Sequence, residues 1–275
     1  MPEEQLTVTP HPHRNGGLTY EPTERWVRGK IGDVTVVDSR RALLVWGPDT
    51  PVPTYAFPAD DVRTDLLTPA QAPVDGRRAG ASEWYDLELD GTRYEQLAWR
   101  YGEGPLDGLL ALDWFGRKRP GIEHWYEEEE EVFVHPRDPH KRVDPLPSSR
   151  HIEVYVDGRK LADTTRPVLL FETHLPIRYY IPPEDVDFDQ LERTDLRTRC
   201  PYKGIASYWS VRDYDRGKNI VWSYEDPIPA ADAIRGHIAF YNEVVDIRVD
   251  GEPLERPVTH FNQRLATDAP DTTGI

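Results

Sequence analysis

At 275 residues the chain has room for one large or two modest domains, and its formal net charge of -16, with no Lys/Arg cluster, argues against nucleic acid as the main partner. A single cysteine excludes an internal disulfide and any multi-cysteine zinc site. The longest apolar runs, Ala42–Trp46 and Val168–Phe171, are far too short to span a bilayer, and Pro2, Glu3 and Glu4 do not open a signal peptide, so a soluble, cytoplasmic protein is expected.

In chain order, residues 1–24 are polar and proline-containing and are expected to form an arm or tail. A first domain is expected over 25–136, with strands at Val34–Val37 and Ala42–Trp46. Leu87-Glu-Leu89 alternates into Asp90-Gly91, whose readiness for positive φ suits a two-residue hairpin turn. Leu106–Leu112 is a short helix candidate. Added material follows between Trp114 and His135, including the run Glu127–Glu131, which reads as a solvated edge or loop. A proline-rich linker over 137–149 leads to a second domain over 150–256. That domain opens with Ile152–Val156 running into Asp157-Gly158 and closes with Val245–Val249 running into Asp250-Gly251. Pro182–Leu191 and Pro229–Ile238 are short helices by their early prolines and acids. Residues 257–275 form a tail without periodicity. Short β-rich runs between turn signals point to mainly antiparallel β-domains.

The two domains read as copies of one another. Tyr55-Ala-Phe-Pro58-Ala-Asp-Asp61-Val62 reappears as Tyr179-Tyr-Ile-Pro182-Pro-Glu-Asp185-Val186, and Asp38-Ser39-Arg40-Arg41 as Asp163-Thr164-Thr165-Arg166. Ala81-Ser82-Glu-Trp84 matches Ala206-Ser207-Tyr-Trp209, and Trp99-Arg-Tyr101 matches Trp222-Ser-Tyr224. Four matches in one order imply a tandem repeat of complete globular units. The register that holds Cys200, Tyr202 and Lys203 holds Gly76, Arg78 and Ala79 in the first copy, so the copies diverge at that segment.

Cys200-Pro-Tyr-Lys203-Gly204 is therefore the first candidate for chemistry. Cys200 reads as a nucleophile or redox centre tuned by Lys203, or as a small buried hydrophobe; Lys203 alone reads as a holder of an anionic ligand group. Tyr202, Trp209, Trp222 and Tyr224 join Lys203 as ligand-contacting candidates, because aromatic walls hold flat or cationic molecules. Trp222 and Tyr224 alternate on one strand and so share a face. Asp61 and Asp185 read as acids or caps at helix N-termini, and Asp38 and Asp163 as local partners of backbone groups at a strand connection. The histidines show no zinc-like spacing and no phosphate loop is present, so neither metal nor cofactor is expected.

With these residues in view, both copies resemble the domain-of-unknown-function 427 family. The second copy is the more similar, through Asp163–Arg166, Tyr179–Val186, Cys200–Ser207 and Trp222-Ser-Tyr-Glu-Asp-Pro227; the first lacks the cysteine motif. The resemblance implies β-tent-like domains, two antiparallel sheets leaning together, similar to the cereblon ligand-binding domain and methionine sulfoxide reductase B. The zinc knot of that wider group has no cysteine pairs to hold it here, and the family's nucleotidyl-transfer label finds no paired carboxylates with a phosphate loop. The expected protein is a mainly β monomer, an intramolecular pseudo-dimer of repeats, that takes a small-molecule ligand in the second repeat. An enzyme using Cys200 and Lys203, and a scaffold meeting a basic partner through Glu127–Glu131, are the alternatives.

Overall fold

The computed structural model describes residues 17–48, 52–74, 78–114 and 121–259. The chain divides into two compact units, Met1–Asp138 and Pro139–Ile275. Among the described residues no helix is long and apolar enough to cross a membrane.

The first unit runs β1 (Thr19–Pro22), β2 (Val27–Ile31), β3 (Val34–Ser39), β4 (Leu43–Trp46), β5 (Thr54–Ala56) and β6 (Leu67–Ala70). It continues with β7 (Ala81–Leu89), β8 (Thr92–Tyr101), β9 (Leu110–Leu112), β10 (His124–Glu127) and β11 (Glu130–Val132). The second unit repeats the series with β12 (Val143–Pro147), β13 (Ile152–Val156), β14 (Arg159–Thr164), β15 (Val168–Glu172), β16 (Arg178–Tyr180) and β17 (Leu191–Cys200). It ends with β18 (Gly204–Val211), β19 (Val221–Ser223), β20 (Ile238–Phe240), β21 (Asp246–Val249) and β22 (Glu252–Pro253). Sheet orders match strand for strand: β1-β4-β5 with β12-β15-β16, β11-β10-β2-β3 with β22-β21-β13-β14, and β6-β7-β8-β9 with β17-β18-β19-β20. Every pairing in these ladders is antiparallel, and even the bulge after Gly29 in β2 recurs after Val154 in β13.

In each unit two of the sheets are joined edge to edge. Phe57 exchanges backbone hydrogen bonds with Leu110, and Ile181 with Ile238, so seven strands form one continuous sheet. Period-two alternation then assigns side chains to its two faces. Leu169, Tyr179, Ile181, Trp209, Val221 and Phe240 face the four-stranded sheet and form the main core with Ile152, Val154 and Ile247. Leu170, Tyr180, Tyr208, Trp222 and Tyr224 form a second cluster, with Ala231 and Ile234 of a 3₁₀ turn. The first unit has the same division.

The three Asp-Gly hairpins form as expected, with φ of 48° and 77° at Asp90-Gly91, 47° and 75° at Asp157-Gly158, and 54° and 87° at Asp250-Gly251. The helices do not. Pro182–Leu191 makes two separate 3₁₀ turns, Pro183–Asp185 and Phe188–Gln190, because Val186 is extended and bridges to Ala162. Leu106–Leu112 ends a 3₁₀ turn at Leu106, turns through Gly108 at φ 79° and is strand only over Leu110–Leu112. Pro229–Ile238 splits into a 3₁₀ turn over Pro229–Ile234 and strand β20.

Two segments read as arm and linker are partly sheet: Thr19–Pro22 pairs with β4, and Val143–Pro147 with β15. Prolines in these strands, Pro22, Pro145 and Pro147, fit their place at the sheet edge. The material after Trp114 is not wholly an addition, since β10 and β11 are the counterparts of β21 and β22. Glu128–Glu131 occupy the β10–β11 turn and the edge strand β11, the solvated edge expected of this run, and Glu127 alone turns inward. Glu127 is buried, accepts from the Tyr55 hydroxyl (2.9 Å) and pairs with Arg25 (3.0 Å). Glu128 accepts from the Trp26 amide, and Glu129, Glu130 and Glu131 pair with Arg28, Arg137 and His124.

Asp61 and Asp185 close their 3₁₀ turns rather than open them, and each clamps the hairpin after β3 or β14. Asp61 accepts from the Ser39 hydroxyl (2.7 Å) and the Arg41 guanidinium; Asp185 does the same with Thr164 (2.7 Å) and Arg166. The backbone contacts expected of Asp38 and Asp163 belong to their neighbours, since Ser39 and Thr164 accept the Arg41 and Arg166 amides. Asp38 and Asp163 instead receive ring N–H groups, from Trp26 and His151.

The cores fill differently. Gly29 pairs with Trp125 across β2 and β10, where the second unit has Val154 against Ile247. A Cβ on Gly29 would stand 3.0 Å from the Trp125 ring and 2.9 Å from Val37. The glycine makes room for an indole that stacks on Trp114 at 4.4 Å. Gly29→Val is expected to destabilise the first unit by about 1–3 kcal/mol through overpacking, and Trp125→Ile in the same chain to recover part of it, measured as non-additive shifts in denaturation midpoint.

Candidate functional site

The Cys200–Gly204 segment is the turn between β17 and β18, with Cys200 and Gly204 paired across the ladder and Gly204 at φ 107°. A Cβ at Gly204 would crowd the Asp226 carbonyl at 3.3 Å, so the glycine serves both the turn and a close backbone approach. The turn places Cys200 and Lys203 in the second cluster of the unit, 7 % and 8 % exposed, and leaves Tyr202 half-buried.

Lys203 is not unpartnered. Its Nζ lies 2.6 Å from Oε2 of Glu172, the last residue of β15, and Lys141 reaches the other carboxylate oxygen at 3.1 Å. Burial alone would raise the Glu172 carboxyl, but the two ammonium groups outweigh it and hold the group at about 2. For Lys203, burial works against the charge, and Cys200 and Glu172 more than reverse that, raising it above its ordinary value. The Lys141 ammonium also stands 5.7 Å from the Tyr202 ring centroid.

Trp222 and Tyr224 share a face, with Ser223 turned away from it. Trp222 Nε1 donates to the Tyr180 hydroxyl at 3.0 Å, and its ring lies 4.7 Å from Tyr241. Tyr208 meets the Thr198 hydroxyl at 2.8 Å and hydrogen-bonds with Tyr241. Burial raises the phenols of Tyr180, Tyr208, Tyr224 and Tyr241, keeping all four protonated at neutral pH. Beside them Arg178 forms a buried two-pronged pair with Glu243 at 2.7 and 2.8 Å, its guanidinium 5.7 Å from Trp222.

Of the sequence candidates, Cys200, Tyr202, Lys203, Trp222 and Tyr224 come together in or against this cluster. Trp209 does not join them. Tyr208 pairs with Trp222 whereas Trp209 pairs with Val221, so Trp209 faces the main core. The repeat match that aligned Trp84 with Trp209 slips by one residue, because Trp84 pairs with Trp99 and its counterpart is Tyr208. A one-residue slip moves a side chain to the opposite face.

Glu172, Lys141, Arg178 and Glu243 escaped sequence reasoning. The repeat held a signal for two of them: ladder positions equate Glu172 with Gly47 and Arg178 with Thr54. The same register sets Tyr180 against Ala56, and Lys203 stands where the first copy has Ala79. Gly76, the partner position of Cys200, lies outside the described residues. In the first copy Arg78 lies over Trp99 at 4.7 Å and pairs with Asp113, the position of Tyr241.

A separate group, His151, Glu153 and Asp163, brings donor atoms within 4.8 Å of one another. Lys160 already lies between its carboxylates, 2.6 Å from each, so an ammonium fills the place a metal ion would take.

The fold and this site define a tandem of mainly β-domains with one polar-lined aromatic cluster retained in the second copy. The chain belongs to the family described as domain of unknown function (DUF427), whose model matches residues 19–113 and 144–251. A comparison with curated proteins returned no match.

Glu172 sets an acid-side prediction. Its folded-state value of about 2 lies below the ordinary 4.5, so the stabilisation is complete above roughly pH 5 and is lost as pH falls toward 2. Glu172→Gln is expected to flatten the fall in stability over that range by on the order of 3 kcal/mol. Equal slopes for both proteins in acid-titrated denaturation would remove the assigned charge pairing.

Proposed function

We propose that the second unit binds a small molecule against the cluster formed by Cys200, Tyr202, Lys203, Trp222 and Tyr224, and that the first unit is a diverged supporting copy. One observation carries this reading. The same sheet orders and the same Trp-x-Tyr strand occur in both copies, yet among the described residues the charged and hydroxyl groups occur mainly in the second. A fold that forms with Gly47, Ala56 and Ala79 does not require Glu172, Tyr180 and Lys203, so their retention points to a use beyond folding. Buried polar groups with shifted protonation equilibria gather where ligands or substrates are handled. Tyr208 takes the place first given to Trp209 in the ring set.

A thermal-shift panel of nucleosides, imides, aromatic cations and aromatic acids is expected to raise Tm with at least one class, and Lys203→Ala to abolish that rise. No shift with any class would count heavily against ligand binding.

The enzyme alternative depends on Cys200, which sits beside the Lys203 charge but is buried. Slow labelling by iodoacetamide at neutral pH is expected, becoming complete in denaturant; with one cysteine in the chain the mass spectrum reads out a single site. Rapid labelling of the folded protein would instead favour the nucleophile.

A further inference from the structure

The charges around the β17–β18 turn do not cancel. Glu172 is one carboxylate between two ammonium groups, 2.6 Å from Lys203 and 3.1 Å from Lys141. Arg178 does not change the balance, because Glu243 matches it. The Lys203 and Glu172 side chains are 10 % and 6 % exposed and Lys141 27 %, so water screens the charge weakly at Lys203 and more at Lys141.

Hydrogen-bonding capacity is also left over. An ammonium has three N–H donors, and among the described residues Glu172 is the acceptor for Lys203. Tyr224 is 6 % exposed, and its hydroxyl is not one of the fully enclosed side-chain atoms left without a partner. Tyr180, Cys200 and Tyr224 pack in one cluster, and Lys203 lies in the turn that Cys200 and Gly204 close, so the ammonium and the phenol belong to one part of the site. An ammonium already bonded to one acceptor still has N–H donors to offer a bound acceptor.

Resting on the ligand-binding reading above, we infer that the ligand is a small planar carboxylic acid, bound as its monoanion, with its carboxylate held by Lys203, Lys141 and the Tyr224 hydroxyl. The magnitude of the surplus selects among anions. One excess positive charge matches a carboxylate, whereas a phosphate dianion would leave a buried negative charge unmatched. An aromatic cation would meet the lysines as like charge. Aromatic side chains at Tyr202 and Trp222 favour a flat hydrocarbon body on the acid.

Titration calorimetry on the full chain tests this with sodium benzoate and nicotinate, the neutral isosteres benzamide and nicotinamide, benzyltrimethylammonium, and inorganic phosphate. The acids are expected to bind at least tenfold more tightly than the other four probes. Lys203→Met and Lys141→Gln should each weaken benzoate tenfold or more; Lys141→Gln, at a partly exposed position, keeps the test open should Lys203→Met not fold. Glu172→Gln removes the competing carboxylate, so benzoate should bind it more tightly than it binds the unaltered chain and narrow its Tm deficit. Amides, cation or phosphate binding as tightly as the acids would overturn the carboxylate assignment while leaving the site standing. Acid binding indifferent to both lysine substitutions would overturn the site, and no binding by any probe would overturn the proposal.

Discussion

Reciprocal backbone hydrogen bonds between Ile181 and Ile238, both 2.8 Å, and between Phe57 and Leu110, 2.7 and 2.9 Å, turn two small sheets into one wide sheet in each unit. Everything else about these domains follows from that junction. A seven-stranded sheet has two full faces, and one four-stranded sheet covers only one of them. The other is left to a 3₁₀ turn and to its own large side chains. That second face can change its chemistry without disturbing the main core, because the pleat keeps the two sets of side chains apart.

The two copies show how far such change can go. In the second, the face holds a lysine–glutamate–lysine group, a buried arginine–glutamate pair and four protonated phenols. Burying such charges is expensive, and removing one partner of a buried pair typically costs about 3–5 kcal/mol. In the first, the same face carries Trp84, Trp99 and Tyr101 and, among the described residues, the Arg78–Asp113 pair over Trp99. Selection for stability alone favours the cheaper solution, and the polar face of the second copy therefore supports the proposed binding role.

What could be read from the sequence was whatever is encoded locally. The Asp-Gly turns were legible because two adjacent residues decide the backbone, and the tandem repeat because aromatic, proline and acidic positions recur in order. The short helices were misjudged where a tertiary bridge, Val186 to Ala162, overrode a favourable helix start. Trp209 was misplaced because an Ala-Ser-x-Trp match is blind to a one-residue slip that the ladder fixes. Glu172 and Glu243 stayed hidden because their partners lie 31 and 65 residues away, a distance over which no periodic pattern reports.

The exchange of Gly29 and Trp125 for Val154 and Ile247 has a consequence for how the chain reaches its native state. Two copies of one strand order, linked in tandem, invite a strand of one to dock into the other during synthesis, a characteristic misassembly of repeat proteins. Here the trespass is penalised in both directions. The β10 hairpin set against β13 would drive an indole into Val154, and the β21 hairpin set against β2 would leave Ile247 facing the hollow above Gly29. Divergent interiors thus act as a proofreading device, letting twin topologies share one polypeptide without exchanging parts.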